Sequence, residues 1–117
     1  MKNIQAKKKG FEGELIARNY FLKNGYKIIE KNFYSKKGEI DLIILKGSTI
    51  SFVEVKNYKK NSLINPLYMI TEKKKKNIRK TAEFYLLKTK DIDKFTYKFD
   101  VVTIEENKIK QHIENAF

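Results

Sequence analysis

Apolar residues fall along this chain in runs that separate strands from helices. The richest stretch is Gly38-Glu39-Ile40-Asp41-Leu42-Ile43-Ile44-Leu45, then Gly47-Ser48, then Ser51-Phe52-Val53-Glu54-Val55-Lys56. Two apolar runs of strand length bracket a Gly-led dipeptide, which predicts a hairpin closed by a type II′ turn. Around that turn Lys46 faces Thr49 and Asp41 faces Glu54. The Asp41–Glu54 pair then falls at a non-hydrogen-bonded position, where side chains approach most closely. In this register Glu39, Asp41, Glu54 and Lys56 share one face with Ile43, Leu45, Ile50 and Phe52, and Glu39 pairs with Lys56. A bulge would move Asp41 to the other face.

The remaining pattern fills in the fold. Phe11 to Lys23 predicts a helix with Phe11, Leu15 and Leu22 on its apolar stripe and Gly25 as its stop. Tyr26 to Tyr34 predicts a first strand, and Asn57 to Asn65 a Lys-bearing loop. Asn65-Pro66 is a good helix start, since Asn caps and Pro suits the first helical position. This second helix is expected to end near Leu87. Thr96 to Ile104 predicts a fourth strand and Ile109 to Ile113 a short fifth after a turn at Glu105 to Lys108. The resulting order, α-β-β-β-α-β plus a short strand, implies an α/β fold: a mixed sheet of four or five strands flanked by helices. The expected organisation is a mobile basic arm over residues 1–9 and a single domain over 10–117.

Two carboxylates with Cβ atoms about 5 Å apart repel by roughly 3 kcal/mol at an effective dielectric near 20. A purely structural hairpin gains nothing from that arrangement. A divalent cation turns it into attraction, because hard cations favour carboxylate oxygens. Asp41 and Glu54 are therefore candidate metal ligands. An exposed Glu39–Lys56 ion pair would explain Glu39 and Lys56, but not the other two acids. Glu-x-Lys itself is a weak signal, since the chain holds three such triplets; only Glu54-Val55-Lys56 ends an apolar strand with an Asp across the hairpin. Glu14, at the edge of the first helix's stripe, could reach the sheet as a further ligand or simply pair with Arg18 at i+4. Lys73 to Lys76 run through mid-helix and point to all sides, so at least one is expected to lean toward the sheet or a phosphate. His112, the only histidine, reads as structural, and no Gly-rich phosphate loop follows a strand.

Charge sets the partner. The chain has 117 residues and a net charge of +12, and basic side chains that neutralise phosphates release condensed counterions. Nucleic acid is the expected ligand. Only Arg18 and Arg79 are Arg; the other basic residues are Lys, as an AT-rich genome would favour. There is no cysteine, hence no disulfide and no thiolate metal site. No stretch approaches the ~20 apolar residues of a membrane span, so a soluble, cytoplasmic protein without membrane contact is expected.

Gly10-Phe11-Glu12-Gly13-Glu14, Asn32, Gly38-Glu39-Ile40-Asp41-Leu42-Ile43, Phe52-Val53-Glu54-Val55-Lys56, Lys74 followed by Ala82, Phe99-Asp100-Val101-Val102 and Asn115-Ala116-Phe117 together resemble the bacterial YraN-type family. That family is placed in the PD-(D/E)xK nuclease superfamily, near the archaeal Holliday-junction resolvases. The resemblance implies a restriction-endonuclease-like α-β-β-β-α-β core and a Mg²⁺- or Mn²⁺-dependent DNA endonuclease, with branched or structured DNA among its substrates. It implies Asp41, Glu54, the Val55 carbonyl and Glu14 at the metal and Lys56 as the catalytic lysine. Lys36, Lys37, Lys59, Lys60 and Lys74 become candidates for DNA backbone contacts, and Gly10 and Gly13 for close approach to the first helix. Resolvase-like relatives act as symmetric dimers, so a homodimer is an expectation of the same kind. The chain departs from the family at Tyr58 and Lys98, where many members carry Arg, and Lys does not replace Arg at a bidentate phosphate contact. The competing expectation is a non-catalytic nucleic-acid-binding protein that keeps the fold, with a basic RNA- or ribosome-associated protein as a weaker one.

Overall fold

A computed structural model describes residues 4–58 and 70–117, with the side chains of the first helix described from Glu12 onward. The elements run α1 (Ile4–Lys23), β1 (Lys27–Ser35), β2 (Gly38–Lys46), β3 (Thr49–Tyr58), α2 (Glu72–Leu87), a 3₁₀ turn (Ile92–Lys94), β4 (Thr96–Glu105) and β5 (Lys108–Ile113). The five strands form one mixed sheet in the order β1-β2-β3-β4-β5. Only β3 and β4 are parallel, and α2 lies in the connection between them, as a parallel pair requires.

The hairpin turn is as expected. Gly47 has φ +59° and Ser48 is not left-handed, and Lys46 pairs with Thr49, Leu45 with Ile50 and Ile43 with Phe52. The alternation of β2 from Leu42 onward, and of β3, feeds two cores. On one face Leu42, Ile44, Val53, Val102 and Ile104 pack with Ala17 and Phe21 of α1. On the other, Ile43, Ile50, Phe52 and Phe99 pack with Ile78 and Ala82 of α2.

Three expectations are corrected. α1 begins at Ile4, so residues 4–9, read as an arm, are helical. Its buried stripe is Gly13, Ala17 and Phe21, with Ile16 and Tyr20 beside it, whereas Leu15 and Leu22 are exposed. A Cβ on Gly13 would come within 3.2 Å of the Asn57 side chain, so the glycine is what lets α1 approach the end of β3. α2 starts at Glu72, where the Thr71 side chain accepts from the Lys74 N–H as an N-cap; Asn65 and Pro66 lie outside the described residues.

Candidate metal centre at the end of the central hairpin

The β2–β3 ladder stops at Leu42↔Val53. Beyond it Asp41 intervenes: the Val55 N–H donates to Asp41 Oδ2 at 2.8 Å. A regular ladder would put Val55 opposite Ile40, so the carboxylate stands in for a strand carbonyl where the two strands part. The alternation of β2 breaks at the same residue. Ile40 packs with α2 while Leu42, two residues on, packs with α1. Asn32, which would face Asp41 between the pairs Lys31↔Leu42 and Phe33↔Ile40, drops out of the β1–β2 ladder. It adopts φ +51°, a left-handed conformation that Asn tolerates better than most residues. The sheet thus opens around Asp41.

Into that opening come the charged groups. Asp41 and Glu54 are hydrogen-bonded to each other, and Asp41 is pushed up to about 9 from the usual carboxylate range. Burial is the main cause. The hydrogen bond and charge of Glu54 add to it, while the Val55 N–H works the other way. At neutral pH Asp41 therefore keeps its proton, held beside Glu54. Glu54 is buried, at 7% exposure, and its Oε2 lies 3.2 Å from Lys74 Nζ. Lys56 is held below its ordinary value, first by burial and then by its hydrogen bond to Lys74, with Glu54 and Asp41 pulling it up. Burial alone would lower Lys74 too, but Glu54 and the bond to Lys56 leave it raised. Lys56 is thus the more weakly basic of two adjoining amines.

The outcome for the other candidates is mixed. Glu14 hydrogen-bonds Asn32 and is raised, mainly by burial, with Glu39 adding to it; Glu39 also acts on Asp41. Glu14 therefore joins the site through Asn32 and Glu39. The expected Glu39–Lys56 pair is not in the ladder: Glu39 is exposed and pairs with Tyr34 of β1, while Lys56 turns to Lys74. The break in alternation at Asp41 is the physical reason. Of the Lys run, Lys74 leans in, while Lys75 bonds Glu72 at 3.1 Å on the helix itself. Lys36 and Lys37 are exposed at the β1–β2 turn, and that turn is fastened to α2. The Lys37 N–H donates to Ser35 Oγ, Ser35 lies 2.7 Å from Thr81 Oγ1, and Thr81 donates to the Asn77 carbonyl. Lys59 and Lys60, and the side-chain surroundings of Gly10, lie outside the described residues. Asn32 and Asn57 shape the site without having been singled out for it; only the resemblance touched Asn32.

His112 lies in a separate cluster on the α1 face. Its Nε2 is 2.9 Å from Asp100 Oδ2, and Asp100 also accepts from the Asn115 N–H at 3.1 Å. Lys98 pairs with both Asp100 and Glu114. Ligating atoms of Asp100, His112 and Glu114 lie within 4.8 Å of one another, but the Lys98 ammonium already balances the two acids. The network anchors the C-terminal tail, where Ala116 N–H bonds the Phe99 carbonyl and Phe117 stacks on Phe99 at 5.3 Å.

The model of Uncharacterised protein family UPF0102 matches residues 13–104, a span that contains Glu14, Asp41, Glu54, Lys56 and Lys74. The chain belongs to this family. A UPF0102 protein of Campylobacter fetus subsp. fetus (strain 82-40) is 45% identical over 101 residues, 86% of this chain and 87% of the relative. One from Persephonella marina is 45% identical over 109 residues, covering 93% and 92%. A third, from Thermodesulfovibrio yellowstonii, is 40% identical over 108 residues, covering 92% and 94%. Among the described residues no helix is long and apolar enough to cross a membrane.

Proposed function

We propose that this UPF0102 protein is a metal-dependent DNA endonuclease of the PD-(D/E)xK type, related to the Holliday-junction resolvases, whose substrates include branched or structured DNA. The observation that carries the reading is the pairing of half-buried Asp41 with buried Glu54, held together where β2 and β3 part. Its donor set fits a hard cation. A protonated Asp41 beside Glu54 offers oxygen ligands that a divalent ion would stabilise by displacing that proton. Asp41, Glu54 and the Val55 carbonyl would hold Mg²⁺ or Mn²⁺, with Glu14 as a further ligand, directly or through water. Such an ion lowers the pKa of bound water and offsets charge on a phosphodiester.

The chain's own groups supply the rest. Lys56, with its lowered basicity, is suited to orient the attacking water and take part in its deprotonation. Lys74, a full ammonium paired with Glu54, can turn to the scissile phosphate. Lys36, Lys37, Lys59 and Lys60 would contact the DNA backbone and fix its position without reading sequence.

A cleavage panel over linear, supercoiled and four-way-junction DNA with Mg²⁺, Mn²⁺ and Ca²⁺ tests this. Scission is expected with Mg²⁺ or Mn²⁺. Glu54→Gln should lose it while binding DNA as tightly as wild type or more so. If wild-type protein binds DNA with a steep salt dependence yet cuts nothing with either ion, the protein is a non-catalytic binder and the endonuclease reading is wrong.

A further inference from the structure

Tyr34 is an aromatic residue that neither core uses. It is 66% exposed, although its neighbours are both tied down. Phe33 packs edge-on against Tyr85 at 5.3 Å, and Ser35 is hooked to Thr81 of α2. The backbone is therefore fixed on either side, and the ring is presented to solvent from a rigid strand. Its cross-strand partner is Glu39, two residues from Asp41. The phenol hydrogen-bonds the Glu39 carboxylate, and Glu14 and Asp41 are close enough to act on it. That bond uses the hydroxyl and leaves the faces of the ring free. Lys36 and Lys37 follow at the exposed tip of the same hairpin.

A fixed aromatic face next to phosphate-binding amines is the arrangement by which proteins hold unpaired nucleotides: the ring covers a base and the amines track the backbone. In continuous duplex both faces of each base are already covered by their neighbours. A ring can then engage a base only after unstacking, which costs energy.

We propose that Tyr34 is a base-stacking residue that holds an unpaired nucleotide beside the Asp41–Glu54 pair, so that the preferred substrate is DNA with a single-stranded segment at the point of cleavage. This positioning role rests on the endonuclease reading, but its binding component can be measured without any cleavage.

The test uses the full chain in Ca²⁺ buffer. The probes are a single-stranded oligonucleotide, a flapped duplex carrying 2-aminopurine in the flap, and a continuous duplex of equal length. Tyr34→Ala is expected to weaken binding of the first two by about tenfold, the size of one base–aromatic stack. Duplex binding should stay within about twofold. The 2-aminopurine quenching should vanish in Tyr34→Ala and persist in Tyr34→Phe, which keeps the ring and loses the Glu39 bond. With Mn²⁺, the flap-to-duplex ratio of cleavage rates should fall in Tyr34→Ala alone. Equal weakening on all three probes, no weakening on any, or a Tyr34→Phe protein that behaves like Tyr34→Ala would overturn the stacking role. Wild-type protein that quenches the flap probe yet cuts nothing would sink the endonuclease reading and leave the stacking role standing.

Discussion

Asp41 stands at the centre of the proposed chemistry, and its protonation has consequences that can be measured. In the unfolded chain its carboxyl loses its proton near pH 4. In the folded chain it keeps that proton until about pH 9. Between those values the unfolded state binds fewer protons, so stability falls as pH rises, by up to about 1.4 kcal/mol per pH unit. Asp41→Asn removes this titration. Its amide can still accept from the Val55 N–H and donate to Glu54, imitating the protonated acid. Thermal denaturation without divalent ions is therefore expected to show Asp41→Asn more stable than wild type at pH 8, with the gap closing toward pH 5. A gap that is flat with pH would contradict the raised Asp41 carboxyl. Lys56 gives a second prediction at this scale. Lys56→Met should lower cleavage by about 10²- to 10³-fold, the typical cost of a missing electrostatic catalyst. Lys56→Arg should not rescue it, because an Arg stays fully charged and cannot serve as the weaker base. Rescue by Arg would reduce Lys56 to a charge.

At the scale of elements, the hairpin and its register were legible because apolar alternation and Gly47 leave one answer; Leu45↔Ile50 and Ile43↔Phe52 pair accordingly. What lay beyond the pattern was the break at Asp41. It depends on Asn32 turning left-handed in the neighbouring strand, and nothing in the alternation of β2 announces that. The expected Glu39–Lys56 pair failed for this reason, while Asp41 and Glu54 still met. The stripe of α1 was misread for a different cause. Gly13 and Ala17 contribute almost no hydrophobic signal, so Leu15 and Leu22 dominated the periodicity although the buried line runs through Gly13, Ala17 and Phe21, with α1 too close to the end of β3 at Gly13 for a side chain there. The start of α2 was expected at Asn65-Pro66, and the Thr71 cap that it uses was not singled out in the sequence. Asn32 offers the test for this level. Asn32→Val should cost about 1–2 kcal/mol, the penalty of a left-handed residue with a branched Cβ, or roughly 4–8 °C in Tm for a domain of this size. Asn32→Gly should keep the backbone and lose only the bond to Glu14. If both variants melt like wild type, the opening around Asp41 is not held by that residue.

For the whole molecule, charge and fold act together. A net charge of +12 draws polyanions without specifying them; in the proposed reading the Lys36–Lys37 tip, fastened to α2 through Ser35 and Thr81, gives that charge a destination. Binding of duplex DNA is expected to weaken linearly in log–log coordinates with salt. Replacing Lys36 and Lys37 together by Ala should lower that slope by about 2, roughly one for each phosphate left without its lysine. An unchanged slope would place the DNA elsewhere on the surface.

At the centre of the proposed chemistry is the proton on Asp41, which a bound cation would displace. Calorimetric titration of the protein with Mn²⁺ at pH 7.5, repeated in buffers of different ionisation enthalpy, measures this directly. Binding of Mn²⁺ with release of about one proton, and loss of both in Asp41→Asn, is the predicted result. Absent binding in the wild type, or binding that Asp41→Asn leaves intact, would contradict it.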